Sequence, residues 1–137
     1  MTLQRREFLA LAGAVAVAPL SLPWAGPTMT TPGGAMYGLI GKMTATAGQR
    51  DALAAILLQG TQAMPGCLSY IIATDPSDSD GLWITEVWDS QANHQASLQL
   101  PGVQAAIAKG RPMIAGFSNR VETVPIGGYG LPSAPAR

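Results

Sequence analysis

The chain of 137 residues contains one cysteine, Cys67, and one histidine, His94. A single cysteine excludes an intrachain disulfide, and one of each excludes an ordinary Cys/His metal cluster built within one chain. Cys67 reads as a small buried hydrophobe at a strand start rather than as a reactive thiol. Charge is also sparse, at 12% of residues. From residue 26 to 137, six basic side chains (Lys42, Arg50, Lys109, Arg111, Arg120, Arg137) stand against seven acidic ones (Asp51, Asp75, Asp78, Asp80, Glu86, Asp89, Glu122), a net of −1. That balance offers nothing to steer the protein to nucleic acid or anionic lipid. A Gly-rich phosphate loop and a Ser nucleophile elbow are both missing. The uncharged apolar run from Leu9 to Leu22 falls short of the ~20 residues that a helix needs to cross a hydrocarbon core of ~30 Å, so no permanent membrane span is expected.

What is present begins at the N-terminus. Gln4-Arg5-Arg6-Glu7-Phe8-Leu9, placed directly ahead of that apolar run, resembles the twin-arginine export signal of bacteria. The run then reads as a removable address label over residues 1–25, and the protein as periplasmic or secreted. Ala16-Val17-Ala18 fits the small-residue rule for cleavage but puts Pro19 next, whereas Pro23-Trp24-Ala25 is a looser match in a more usual place, and cutting near Ala25 is favoured. Roughly 110 residues remain, enough for one compact domain with a modest core. Residues 26–35 are turn-forming and read as a flexible leader, 36–126 as the domain, and 127–137 as a Gly/Pro-rich tail.

Hydrophobic period supplies the element order. Met36 to Thr44 alternates as a strand with Tyr37, Leu39, Gly41 and Met43 on one face. Gly48 to Met64 carries Leu53, Ile56, Leu57, Gly60 and Met64 in one apolar stripe and predicts a helix that Pro65-Gly66 stops. Cys67 to Thr74 and Leu82 to Trp88 read as strands joined through the polar turn Asp75 to Gly81, a hairpin with a longer loop. Ser90 can cap a short helix bearing Asn93, His94, Ser97 and Leu98. Pro101 suits the first position of a further helix with Val103, Ile107 and Ile114 as a loose stripe, and Phe117 to Val124 is the last strand. The order β-α-β-β-α-β specifies an α+β, ferredoxin-like sandwich: four antiparallel strands with the helices on one face. The other face carries apolar residues without cover of its own, so a homodimer, in effect a dimeric α/β-barrel, is expected.

The segment Trp83-Ile84-Thr85-Glu86-Val87-Trp88-Asp89-Ser90-Gln91-Ala92-Asn93-His94 resembles the antibiotic biosynthesis monooxygenase family, including its quinol monooxygenase members, in which a strand ending in Glu-x-Trp precedes a short helix bearing a His. Pro65-Gly66-Cys67-Leu68-Ser69-Tyr70 is similar to that family's turn into its second strand, and the resemblance covers about Met36 to Val124. It implies a small dimeric barrel, and it implies oxidation of a small quinol or related aromatic by O2 without metal, flavin or any other cofactor. Two departures are visible. Some family members carry an Asn four residues before the Trp, where this chain has Ile84. The haem-degrading members place their His and Asn where this chain has neither, which argues against haem as substrate.

Such chemistry needs a base and an apolar pocket, because a phenolate can itself give an electron to ground-state oxygen. Histidine titrates near neutrality, so the resemblance makes His94 the expected base. Read from the residues alone, His94 is more readily a helix histidine that hydrogen-bonds or faces water, and the resemblance brings the two readings level. Trp88 shares a strand face with Glu86 and is expected either to line the pocket or to fill the core. Glu86, among Leu82, Ile84 and Trp88, must be paired, protonated or at a dimer seam, with Arg111 or Arg120 as its candidate partners. Tyr70, Asn93, Ser97 and Arg111 are secondary pocket candidates, with solvated or capping roles as the alternative. A dimer that binds an apolar small molecule without turnover satisfies the same sequence.

Overall fold

The computed structural model describes residues 34–133. The export signal, its cleavage site, most of the expected leader and residues 134–137 of the tail lie outside the described residues. The order of elements is β1 (Tyr37–Ala45), α1 (Arg50–Gly60), β2 (Cys67–Thr74), β3 (Gly81–Trp88), α2 (Gln91–Ser97), α3 (Pro101–Gly110), a single 3-10 turn (Arg111–Met113) and β4 (Ile114–Thr123). All strand pairs are antiparallel, in the order β2-β3-β1-β4, the ferredoxin-like arrangement that the element order specifies. No helix among the described residues is long and apolar enough to cross a membrane.

The boundaries that differ most from the sequence reading are the ends of two helices and the start of the last strand. Helix α1 ends at Gly60 rather than Met64. The Thr61 hydroxyl donates to the Leu57 carbonyl at 2.8 Å, and Gly60 sits so close to α3 that a Cβ there would collide with Ala106. The close crossing of the two helices thus fixes the end, and Met64 reaches the core from the following turn instead. Helix α3 ends at Gly110, so Ile114 belongs to β4 and not to the helical stripe. Pro112 lacks the N–H that another helical turn would need. Strand β4 accordingly starts three residues before Phe117 and stops at Thr123. Within it, Ile40 pairs with Val121 and Lys42 with Ser118, so Asn119 and Arg120 together oppose Gly41. Asn119 absorbs this bulge with a positive φ of 53°.

The core lies between the helices and one sheet face. Leu53 from α1 is fully buried against Met43, Leu82, Ile84 and Ile114, and a second cluster joins Tyr37, Leu39 and Trp88. The Pro65-Gly66 turn locks this second cluster to α2. Gly66 has a φ of +83°, and a Cβ on it would sit 2.5 Å from the Asn93 amide nitrogen. Its carbonyl accepts from the Asp89 N–H at 2.9 Å. Only glycine meets both the positive φ and the close approach at this position. Ser90 caps α2 as expected, its hydroxyl accepting from the Asn93 N–H at 3.1 Å. The short helix therefore starts at a fixed point, and His94 follows from it.

Among the described residues, no helix covers the opposite sheet face. The register places Ile71, Thr85, Ile40 and Val121 in one row across all four strands. Ile71 and Val121 are each 52% exposed. At one end of this face Lys42 bridges Asp75 (2.8 Å) and Asp78 (2.9 Å), while the Trp83 indole donates to Asp75 at 3.1 Å. These contacts fasten the β2–β3 loop to the sheet.

Candidate functional site

Between the sheet and the helices lies a cavity of about 90 Å³. Most of its wall is apolar: Met43 and Ile84 from the sheet, Leu57 from α1, Val103 and Ile107 from α3, and Phe117 from β4. Its polar end is built from Glu86 and Trp88 on β3 and from His94 on α2. Residues two apart on a strand share a face, and the Trp88 indole N–H donates to Glu86 Oε2 at 2.9 Å. His94 Nε2 stands 3.6 Å from that same oxygen. The imidazole is held by rings on two sides, Tyr37 with centroids 5.1 Å apart and Trp88 in an edge arrangement at 5.4 Å. Glu86 and His94 are both buried, at 7% and 3% exposure.

Burial dominates the electrostatics. It pushes the Glu86 carboxyl up to about 7, against the opposing pull of the Trp88 hydrogen bond and the more distant Arg120 charge. Burial, and then the Arg120 charge, lower the His94 imidazole from its ordinary value. Contrary to the expectation from sequence, His94 therefore does not titrate as an ordinary histidine, because its site disfavours the cation. Burial and the Glu86 charge raise the Tyr70 phenol well above its usual range. Tyr37 is pushed up to about 12 by burial and by Glu122, to which its hydroxyl donates at 3.0 Å. Arg120 donates to the same Glu122 oxygen at 2.8 Å.

Of the residues singled out from sequence, His94, Trp88, Glu86, Tyr70 and Ser97 line this one cavity. Ser97 gives its hydroxyl to the His94 carbonyl at 2.6 Å, so it braces the helix that carries the histidine. Asn93 and Arg111 are not part of the cavity wall. Asn93 packs on Gly66 and donates to Asp89 at 2.7 Å, a structural clasp. Arg111 is exposed in the 3-10 turn. Glu86 is hydrogen-bonded to Trp88 and adjoins His94, whereas Arg120, one of its two expected partners, is paired with Glu122. Sequence reasoning missed Tyr37 as a neighbour of the histidine. The signal was its place on the inward face of β1, which pairs it with Trp88. Among the described residues no group of three His, Cys, Asp or Glu side chains converges as a metal would require.

The family model for antibiotic biosynthesis monooxygenase matches residues 36–109. Among solved structures, a Chloroflexus aurantiacus J-10-fl protein described as a candidate antibiotic biosynthesis monooxygenase is 65% identical, with 71% of this chain and 99% of that chain covered and a TM-score of 0.69. A Pseudomonas aeruginosa protein at 20% identity covers 69% of this chain and 97% of its own with a TM-score of 0.61. A Nitrosomonas europaea protein, also described as a candidate antibiotic biosynthesis monooxygenase, is 13% identical, with coverage of 66% and 90% and a TM-score of 0.62. The last two show likeness of fold alone. Among curated proteins, none matches the chain.

Proposed function

Given that this chain belongs to the antibiotic biosynthesis monooxygenase family, we propose that it is an exported, cofactor-independent monooxygenase that oxidises small quinols or related aromatics with O2. The observation that carries this reading is the cavity, apolar along most of its wall and polar at the one end where His94 and Glu86 meet. An aromatic ring suits the wall, and its hydroxyl suits the end. Ground-state oxygen reacts slowly with closed-shell molecules, but the anion of a quinol gives up an electron readily. The protein then has to remove one proton, bind the anion and keep water out. Ile84 lines the cavity at the position where some relatives carry Asn, so oxygenated intermediates receive no donor from that side chain.

The test is oxygen uptake by the mature chain against a panel of hydroquinones and polyphenols, with His94→Ala beside it. Uptake above the autoxidation blank is expected, falling at least tenfold in the variant, which corresponds to about 1.4 kcal/mol of transition-state stabilisation. Uptake that matches the blank for every compound would leave a non-catalytic binder of an apolar small molecule as the better account.

The proposed active form is a homodimer. The row Ile71, Thr85, Ile40 and Val121, which no helix among the described residues covers, offers a second copy a largely apolar surface that a symmetric pair would close on itself. Light scattering on the mature protein is expected to return twice the chain mass. A monomer at micromolar concentration would overturn the dimer. Twin-arginine transport, which carries folded proteins, is compatible with a pair assembled before export, and cell fractionation checks the periplasmic or secreted location.

A further inference from the structure

The cavity offers two groups able to take a proton, Glu86 Oε2 and His94 Nε2, 3.6 Å apart. Their roles follow from counting charges in a wall that is otherwise apolar. With the carboxylate ionised and the imidazole neutral, the empty site holds one negative charge. If a bound phenol passes its proton to Glu86, that single charge moves from the carboxylate to the phenolic oxygen. If the proton goes to His94 instead, a carboxylate, an imidazolium and a phenolate must share the same buried space. Creating two new charges in a low-dielectric cavity costs more than moving one. The surroundings favour the first course. Tyr37 and Trp88 hold the imidazole between rings, and the Trp88 N–H fixes the carboxyl oxygen in place.

We propose that Glu86 is the general base of the reaction, taking the substrate's hydroxyl proton, and that His94, kept neutral, is the hydrogen-bond donor for the oxyanion left behind. This assignment rests on the phenol-oxidising reading above. In the step, the substrate O–H bond breaks, an O–H bond forms on the Glu86 carboxyl, and the electron pair stays on the substrate oxygen, ready for transfer to O2. The groups that face Glu86 agree with it. Cys67 and Tyr70 from β2 and Tyr37 from β1 are all raised and remain neutral near pH 7, His94 from α2 is lowered, and Arg120 on β4 acts from a distance. The burial that holds the carboxyl up near 7 makes it the stronger proton acceptor of the pair.

A phenol that cannot be oxygenated separates this proposal from turnover. 4-Nitrophenol is coloured only as the anion, so the ionised fraction of bound probe can be read optically across pH for the wild type, Glu86→Gln and His94→Gln. Bound probe is expected to be ionised in the wild type with an affinity that falls at least tenfold between pH 7 and 9, as the carboxyl that holds the proton ionises, whereas Glu86→Gln, whose neutral amide stands in for the protonated carboxyl, should show no such fall. His94→Gln should bind the anion more weakly at every pH yet keep the fall in affinity above pH 7, because Glu86 still holds the proton. An affinity that falls above pH 7 in Glu86→Gln as it does in the wild type, or probe not ionised by the wild type at all, would overturn the assignment. A protein that ionises the probe through Glu86 but consumes no oxygen with any quinol would keep the base and sink the monooxygenase reading. Glu86→Gln preserves shape, and its melting curve shows whether the variant is folded.

Discussion

Trp88→Ala is expected to cost the fold about 3–5 kcal/mol, the range for removing a large aromatic from a packed interior. Trp88 is 1% exposed and is the largest fully buried side chain among the described residues. It closes the cluster with Tyr37 and Leu39, receives Met64 and Cys67, and presents its edge to His94. Its loss also strips Glu86 of the indole N–H, and a buried acceptor without its donor adds about 1–3 kcal/mol. A domain of this size has roughly 5–15 kcal/mol in total, so the alanine variant should be marginally folded or unfolded at 37 °C. Trp88→Phe separates the two contributions, since it keeps most of the packing and loses the hydrogen bond alone. Urea melts of the three proteins should place phenylalanine between wild type and alanine. A phenylalanine variant as unstable as alanine would mean that the hydrogen bond outweighs the packing, and an alanine variant as stable as the wild type would show that the ring is not part of the core.

Much of this arrangement was legible in the sequence because it follows from short-range rules. Period two put Leu82, Ile84, Glu86 and Trp88 on one face of a strand, and all four are buried there. Ser90 announced its helix, and Pro65-Gly66 announced the turn before β2. The end of α1 was not legible, because it is set by a partner distant in the chain. Gly60 ends α1 where it meets Ala106 on α3, a contact between residues 46 positions apart that no local pattern encodes. The same holds for charge. Sequence alone showed that Glu86 needed a partner, yet the choice among Arg111, Arg120 and neutrality depends on which strands lie side by side. Strand β4 sits next to β1, and it carries Arg120 and Glu122 together, so those two satisfy each other. Glu86 on β3 is left with an indole and an imidazole. Tyr37 was hidden for a similar reason, since its closeness to His94 arises only when β1 pairs with β3.

Glu86→Gln should make the protein more stable at pH 8 while it disables the chemistry, and the sign follows from proton linkage. The Glu86 carboxyl is raised from 4.5 to about 7 in the folded protein. Between those values the native state keeps a proton that the unfolded chain has released, so stability falls as pH rises through this window. The whole effect is of the order of 3 kcal/mol, taking about 1.4 kcal/mol for each tenfold change in proton affinity. His94 works in the opposite sense. Its imidazole is lowered, so the unfolded chain gains a proton first as pH falls below about 6.5, and the native state loses stability there. Between about pH 6.5 and 8 the carboxyl dominates this pair's slope. The wild-type melting temperature should therefore fall across that range, and the Glu86→Gln curve should be nearly flat. Glutamine keeps an acceptor for the Trp88 N–H and carries no charge to bury, so its gain at pH 8 should be about 10 °C for a domain of this size. Both proteins must be melted at one concentration, because the midpoint of the proposed dimer would depend on it. A variant that melts below the wild type at pH 8 would mean that the carboxylate is well solvated or paired in the native protein. The proton acceptor of the cavity would then have to be sought elsewhere. A gain in stability joined to a loss of proton transfer is what a buried carboxylate kept for its chemistry should show, since the same desolvation that weakens the fold strengthens the base.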